Sequence, residues 1–191
     1  MAPGLDCFQV LGLERHWQVT DEALAEAFRR ESRKCHPDRF FNATPEEKRR
    51  AMSRTTDVTE AYRTLKDLLG RAIYLIESAG KSIEDRDARA GAEGWLLEVV
   101  EVREQVAELR ARGPGAAGEF DRLFSVMQEK VAAVEQEIKG LFAAVDDHES
   151  PAAAAGALAV VAEALATLVG KHRYYSRTID EIRRARAALG A

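Results

Sequence analysis

Four histidines and two cysteines are the residues of this chain best suited to chemistry. His16, His36, His148 and His172 are scattered, and none has a serine or acid spaced to complete a triad. The sequence holds no GxSxG elbow, no glycine-rich phosphate loop and no paired metal-ligand motif. Cys7, Cys35 and His36 lack a fourth ligand and the CxxC spacing that structural zinc uses. The two thiols are expected to be small buried groups in a reducing compartment. No catalytic residue, metal or cofactor is therefore expected, and the chain is not expected to be an enzyme. The chemistry that remains is recognition. The stretch from Arg29 to Phe40 places Arg29, Arg30, Arg33 and Lys34 at helical spacing and then turns through His36, Pro37 and Asp38 to Arg39. Proline lacks an N–H and disfavours helical geometry in the residue before it, so a helix must stop near Cys35 or His36. A cationic helix end followed by a stiffened turn displaying a ring and a carboxylate suits contact with an acidic partner surface. The plain alternative is a helix–turn–helix corner, its cations placed against the helix dipole.

The elements that must position this turn are legible on either side. Asp6 to Leu13 offers a small apolar face of Phe8, Leu11 and Leu13. Thr20 is a candidate cap for a helix to about Cys35, with Asp21 and Glu22 in the first turn and Leu24 and Phe28 on one face. Thr44-Pro45-Glu46-Glu47 reads as a cap, a first-turn proline and an acidic start. The helix behind it steps through Met52, Thr55, Val58, Ala61, Tyr62 and Leu65. Leu68 to Gly80 is expected to be a short apolar joining helix, packed rather than floppy, with Leu68, Ala72, Leu75 and Ile76 on one face. Lys81 to Ala92 is expected to be a loop.

Three longer amphipathic patterns follow. Glu93 to about Arg112 carries a seam of Trp95, Val99, Val102, Val106 and Leu109. Glu119 to about Val145 carries Phe120, Phe124, Met127, Val131, Val134, Ile138 and Leu141. Pro151 to Leu189 carries Leu158, Val161, Leu165, Leu168, His172, Tyr175, Ile179 and Ile182, with His172 expected to be a hydrogen-bonded core histidine. Short turns at 113–118 and 146–150 join them, which predicts an antiparallel three-helix bundle. Strand signals are absent. Leu96, Leu97 and Val100 stand outside the first seam, beside an acidic ridge of Glu101, Glu104 and Glu108. Such residues either dock a partner or pack against the N-terminal module or the joining helix.

The His-Pro-Asp turn between a basic helix and a helix ending Glu60-Ala61-Tyr62-Arg63-Thr64-Leu65 resembles the J-domain of DnaJ-type proteins. With Gly70-Arg71-Ala72-Ile73-Tyr74-Leu75-Ile76 and Trp95 to Glu104, the chain resembles the HscB branch, called Jac-type in mitochondria. Three positions depart from that pattern. Cys35 replaces an aromatic residue, Leu68 stands where a proline often ends the third helix, and Gly113-Pro114-Gly115 lengthens a turn. The resemblance implies an all-α fold: a J-domain at 1–70, a connecting helix and loop at 71–92, and a C-terminal three-helix bundle at 93–191. It implies a co-chaperone in iron–sulfur cluster assembly. His36, Pro37, Asp38, Arg29, Arg30, Arg33 and Lys34 would contact a DnaK- or HscA-type ATPase chaperone and stimulate its hydrolysis. Leu96, Leu97, Val100, Glu101, Glu104 and Glu108 match the positions that bind the scaffold protein IscU, and Tyr174 matches a further aromatic contact. Val100 and Tyr174 read as conservative replacements. Two competing readings are a general DnaJ-like co-chaperone for other clients and a structural helical protein with an incidental turn.

Charge and hydropathy bound the rest. A net charge of −4 argues against nucleic-acid partners. No run is long and apolar enough for a membrane, and Met1 to Asp6 lacks the basic and apolar parts of a secretory signal. Cytoplasm is the expected compartment.

Overall fold

The computed structural model describes residues 6–83, 93–147 and 151–189. The chain divides into two compact units, Met1–Tyr74 and Leu75–Ala191. Among the described residues all regular structure is helical. None of the helices is long and apolar enough to cross a membrane.

In the first unit, α1 (Cys7–Leu11) begins at Asp6, whose carboxylate accepts from the N–H groups of Phe8 and Gln9, and ends at Gly12. Gly12 adopts φ 62°, and a Cβ there would lie 3.3 Å from both Arg30 Nη2 and Glu31 Oε1. Glycine is thus needed both for the left-handed turn and for the close approach of α2 (Asp21–Cys35). Thr20 caps α2 through the Ala23 N–H, as its position before Asp21 and Glu22 predicts. α3 (Pro45–Lys66) opens with a full capping box between Thr44 and Glu47. It runs antiparallel to α2: Glu31 faces Arg54, and the Phe28 and Tyr62 rings stack at 4.5 Å. Leu24, Ala27, Val58, Ala61 and Leu65 are buried. Phe8, Trp17 and Tyr74 form an aromatic cluster, and Tyr74 Oη accepts the Cys7 N–H at 3.1 Å. Buried Arg71 donates to the carbonyls of Leu65 and Trp17, tying the start of α4 (Leu68–Ser78) to the end of α3 and to the loop before α2. Both cysteines are free and buried.

In the second unit, α5 (Glu93–Arg112), α6 (Ala117–Asp146) and α7 (Pro151–Ala187) form the bundle. Cross-helix partners give the directions. Glu98 meets Lys130 and Arg112 meets Glu119, so α5 and α6 run opposite ways. Glu135 meets His172 and Asp121 meets Arg186, so α6 and α7 also run opposite ways. Glu98 meets Tyr175 and Arg103 meets Glu181, so α5 and α7 are parallel. This is the up–down–up order that short turns impose.

The seam expected for α5 is buried at all five positions. Along α6 the sequence reading needs correction. Phe124, Val131 and Leu141 are half-buried, while Phe142 and Val145 are fully in the core. At about 3.6 residues per turn a long run of alternating three and four steps drifts off the interface, and the buried stripe shifts by one residue at Leu141. On α7 the core also takes Ala162, Ala166, Val169 and Ala185, small residues that let α6 approach closely. α6 starts at Ala117 rather than Glu119, because Gly113–Ala116 winds into a 3₁₀ turn that leads into the helix. Met52, expected on the core stripe of α3, is 69% exposed. His148, and the expected loop and turn across 84–92 and 148–150, lie outside the described residues.

Candidate functional site

Two surfaces collect the residues singled out by spacing, one in each unit. In the first unit α2 stops at Cys35, and His36 takes an extended conformation that the following proline favours. Pro37–Phe40 then makes a single 3₁₀ turn. The His36 ring caps it, Nδ1 accepting the Asp38 N–H at 3.3 Å. The Asp38 carboxylate lies 3.4 Å from that same nitrogen and is 89% exposed. Side chains approach the turn from both sides. Arg39 Nη1 donates to the Arg33 carbonyl at the end of α2. Thr55 Oγ1 on α3 lies 3.3 Å from the Cys35 carbonyl and 2.9 Å from the Ala51 carbonyl. A hydroxyl has one proton, so Thr55 either braces the turn or back-bonds to its own helix.

The four cations of α2 do not form a uniform strip. Arg30 Nη2 donates to the Leu11 and Gly12 carbonyls at 2.8 and 3.1 Å, holding the end of α1. Arg30 and Lys34 also bind the carboxylate of Glu31, a nearly buried acid, and Arg54 approaches its other oxygen at 3.7 Å. Burial is the largest influence on Glu31 and pushes its carboxyl up. The hydrogen bonds from Lys34 and Arg30, with their charges, outweigh it and hold the group below the ordinary carboxylate range. Arg29 and Arg33 are exposed and have no ion pair among the described residues. The face is thus half internal brace and half free charge. Glu31 was not anticipated from the sequence, although an acid between Arg30 and Lys34 on a helix is a visible signal.

The second surface lies on α5. Leu97 is 65% and Val100 50% exposed, although Val99 beside them is buried. Leu96 is half-buried, so it borders the core and the open face together. Glu101, Glu104 and Glu108 are exposed along the same side. Elsewhere on the bundle most acids are spent on partners: Glu98 on Lys130 and Tyr175, Glu119 on Arg112, Glu135 on His172, Glu181 on Arg103. Glu101 and Glu104 have no such partner among the described residues. Glu98 is held below the usual carboxylate range by the Lys130 and Tyr175 hydrogen bonds, and burial with that same carboxylate pushes the Tyr175 hydroxyl far up. Tyr174, half-buried, sits 5.0 Å from the Trp95 ring with Arg177 over its face. The buried Trp95 Nε1 finds no acceptor among the described residues. His172 donates or accepts between Glu135 and Ser176, the hydrogen-bonded histidine that its seam position implied.

The DnaJ domain family matches residues 6–74. The co-chaperone protein HscB homolog of Ralstonia nicotianae is 35% identical over 134 residues, covering 70% of this chain and 75% of that protein. The HscB homolog of an Azoarcus species is 36% identical over 150 residues, with 78% and 82% covered. Two solved structures share the fold. The chaperone HscB from Vibrio cholerae gives a TM-score of 0.70 at 21% identity, covering 96% of this chain and 99% of that one. The human co-chaperone HscB gives 0.69 at 24% identity, covering 96% and 83%. A J-domain in the first unit, curated relatives that align well into the second, and the shared helical fold agree: the chain belongs to the HscB family of J-domain co-chaperones.

Proposed function

We propose that this co-chaperone binds an IscU-like iron–sulfur scaffold through α5 and stimulates an HscA- or DnaK-type ATPase through the His-Pro-Asp turn during cluster assembly or transfer. The J-domain would span residues 1–70 and the scaffold-binding bundle 93–191. The observation that carries the reading is the divided character of α5. One stripe of the helix is core, while Leu97 and Val100 stand in solvent beside Glu101 and Glu104, apolar and acidic groups left unspent. A few exposed apolar residues with charged flanks dominate many protein interfaces. Leu96, Glu108 and Tyr174 extend that surface. On the J-domain, Asp38 with Arg29 and Arg33 faces the ATPase, and Arg30 and Lys34 serve it mainly by holding Glu31 and α1. This chain breaks no bond. Contact favours the hydrolysis-competent state of the partner, and the rate gain is the differential affinity for that state.

The test is a double substitution, Leu97→Ala with Val100→Ala. Both side chains are open, so the melting midpoint should fall by much less than the roughly 2–5 kcal/mol of a buried Leu→Ala change implies. Titration with a purified IscU-type scaffold should show binding lost. Unchanged binding with unchanged melting would leave a J-domain co-chaperone of another client.

A further inference from the structure

Between the His-Pro-Asp turn and α3 lies a notch of about 250 Å³, lined by Cys35, Pro37, Phe40, Phe41, Ala51 and Met52. Its walls are mostly apolar, with Lys48 and Thr55 as the polar members, and a water needs only about 30 Å³ of liquid volume, so the space admits a whole aliphatic or aromatic side chain. Phe41 is 79% exposed at one lip and Met52 at the other. Two large apolar side chains left open beside an apolar recess are unusual on an otherwise charged helical pair. Lys48 also borders the notch, Arg39 stands on the adjoining turn, and Arg33 lies in the last turn of α2. Of the acids nearby, Glu47 is engaged in the cap of α3 and Glu46 with Arg50, while Asp38 stays exposed on the turn. Pro37 forms part of the notch wall and is the middle of the His-Pro-Asp turn. A partner seated on the turn therefore lies beside the recess.

We propose that the notch receives one apolar side chain, flanked by carboxylates, from the Hsp70-type ATPase that the turn contacts. This rests on the turn being the ATPase contact. It adds a separate energetic role: the turn sets stimulation, and the notch sets affinity. Lys48, Arg33 and Arg39 attract the acidic flanks, and Phe41 and Met52 close over the inserted side chain.

The experiment uses the full chain and a purified bacterial DnaK-type ATPase, with ATP turnover titrated against the co-chaperone. Phe41→Asp and Met52→Asp should each raise the half-saturating concentration about tenfold while leaving the plateau rate in place. Phe41→Leu and Met52→Leu should stay close to the unmodified chain. In parallel, Asp38→Asn should drop the plateau to the unstimulated rate. Should an aspartate variant melt early, Lys48→Glu carries the test with the same expected shift, since its side chain is exposed. Half-saturation unchanged in the aspartate variants, with Asp38→Asn inactive, overturns the notch and leaves the turn's role standing. A lowered plateau at unchanged half-saturation overturns it as well, because the residues would then act through the turn's geometry. Full stimulation by Asp38→Asn removes the underlying reading instead.

Discussion

Asp38 and Glu31 are both acids close to arginine and lysine, and the structure gives them opposite duties. Asp38 has no burial to lose, so Asp38→Asn should leave the melting curve within about 0.5 kcal/mol of the unmodified chain while abolishing ATPase stimulation. Circular dichroism and single-turnover ATP hydrolysis check the two halves. Glu31 is the reverse. Its folded carboxyl titrates below the ordinary value of 4.5, so its contribution is full above that pH and is lost as the pH falls through the lowered folded value. Glu31→Gln should therefore lower the melting midpoint at neutral pH and flatten its decline on acidification below about pH 4.5. An acid limb of unchanged slope would count against this. The approach of the Thr55 hydroxyl to the turn was not legible in the sequence. A threonine on a core stripe reads as an ordinary half-buried residue, and its hydroxyl meets the Cys35 carbonyl only because the two helices fold back on each other.

Helices were the most legible level. Caps at Thr20 and Thr44, the stop at Pro37 and the limits of α5 follow from local chemistry, and local chemistry is what the sequence prints. The α6 stripe was misplaced after Ile138 because which of two adjacent residues faces inward depends on the neighbouring helices. Met52 was misplaced for a related reason. Its step of three to Thr55 fits the core period, but Thr55 already meets Cys35, the last residue of α2, and Met52 stands at the lip of the notch beside the Pro37–Phe40 turn. The same geometry limits the basic face of α2. Sequence spacing grouped Arg29, Arg30, Arg33 and Lys34, yet Arg30 and Lys34 turn to Glu31. Reversing Arg29 and Arg33 should then slow association with the ATPase chaperone, more so at low salt, with no change in melting. Reversing Arg30 should also destabilise the first unit, since it removes the donor to Leu11 and Gly12. Stopped-flow association across a salt series, beside thermal melts, separates the pairs.

At the scale of the whole chain, the two surfaces belong to units with separate cores. Asp38→Asn should bind the scaffold with unmodified affinity, and the Leu97/Val100 alanine pair should stimulate the ATPase normally when no scaffold is present. Failure of either variant in the other's assay would mean that the surfaces are not independent. The two tryptophans make this measurable without any label. Trp17 lies in the first unit among Phe8 and Tyr74, and Trp95 lies in the second against Tyr174. Each unit thus carries its own fluorophore. In a Trp17→Phe background all indole emission comes from Trp95, one residue from Leu96 and in ring contact with Tyr174. Its unpartnered, water-excluded N–H should place that emission towards the blue. A wavelength shift on adding scaffold would report occupancy of α5 directly, and the same signal would follow the bundle's unfolding apart from that of the J-domain.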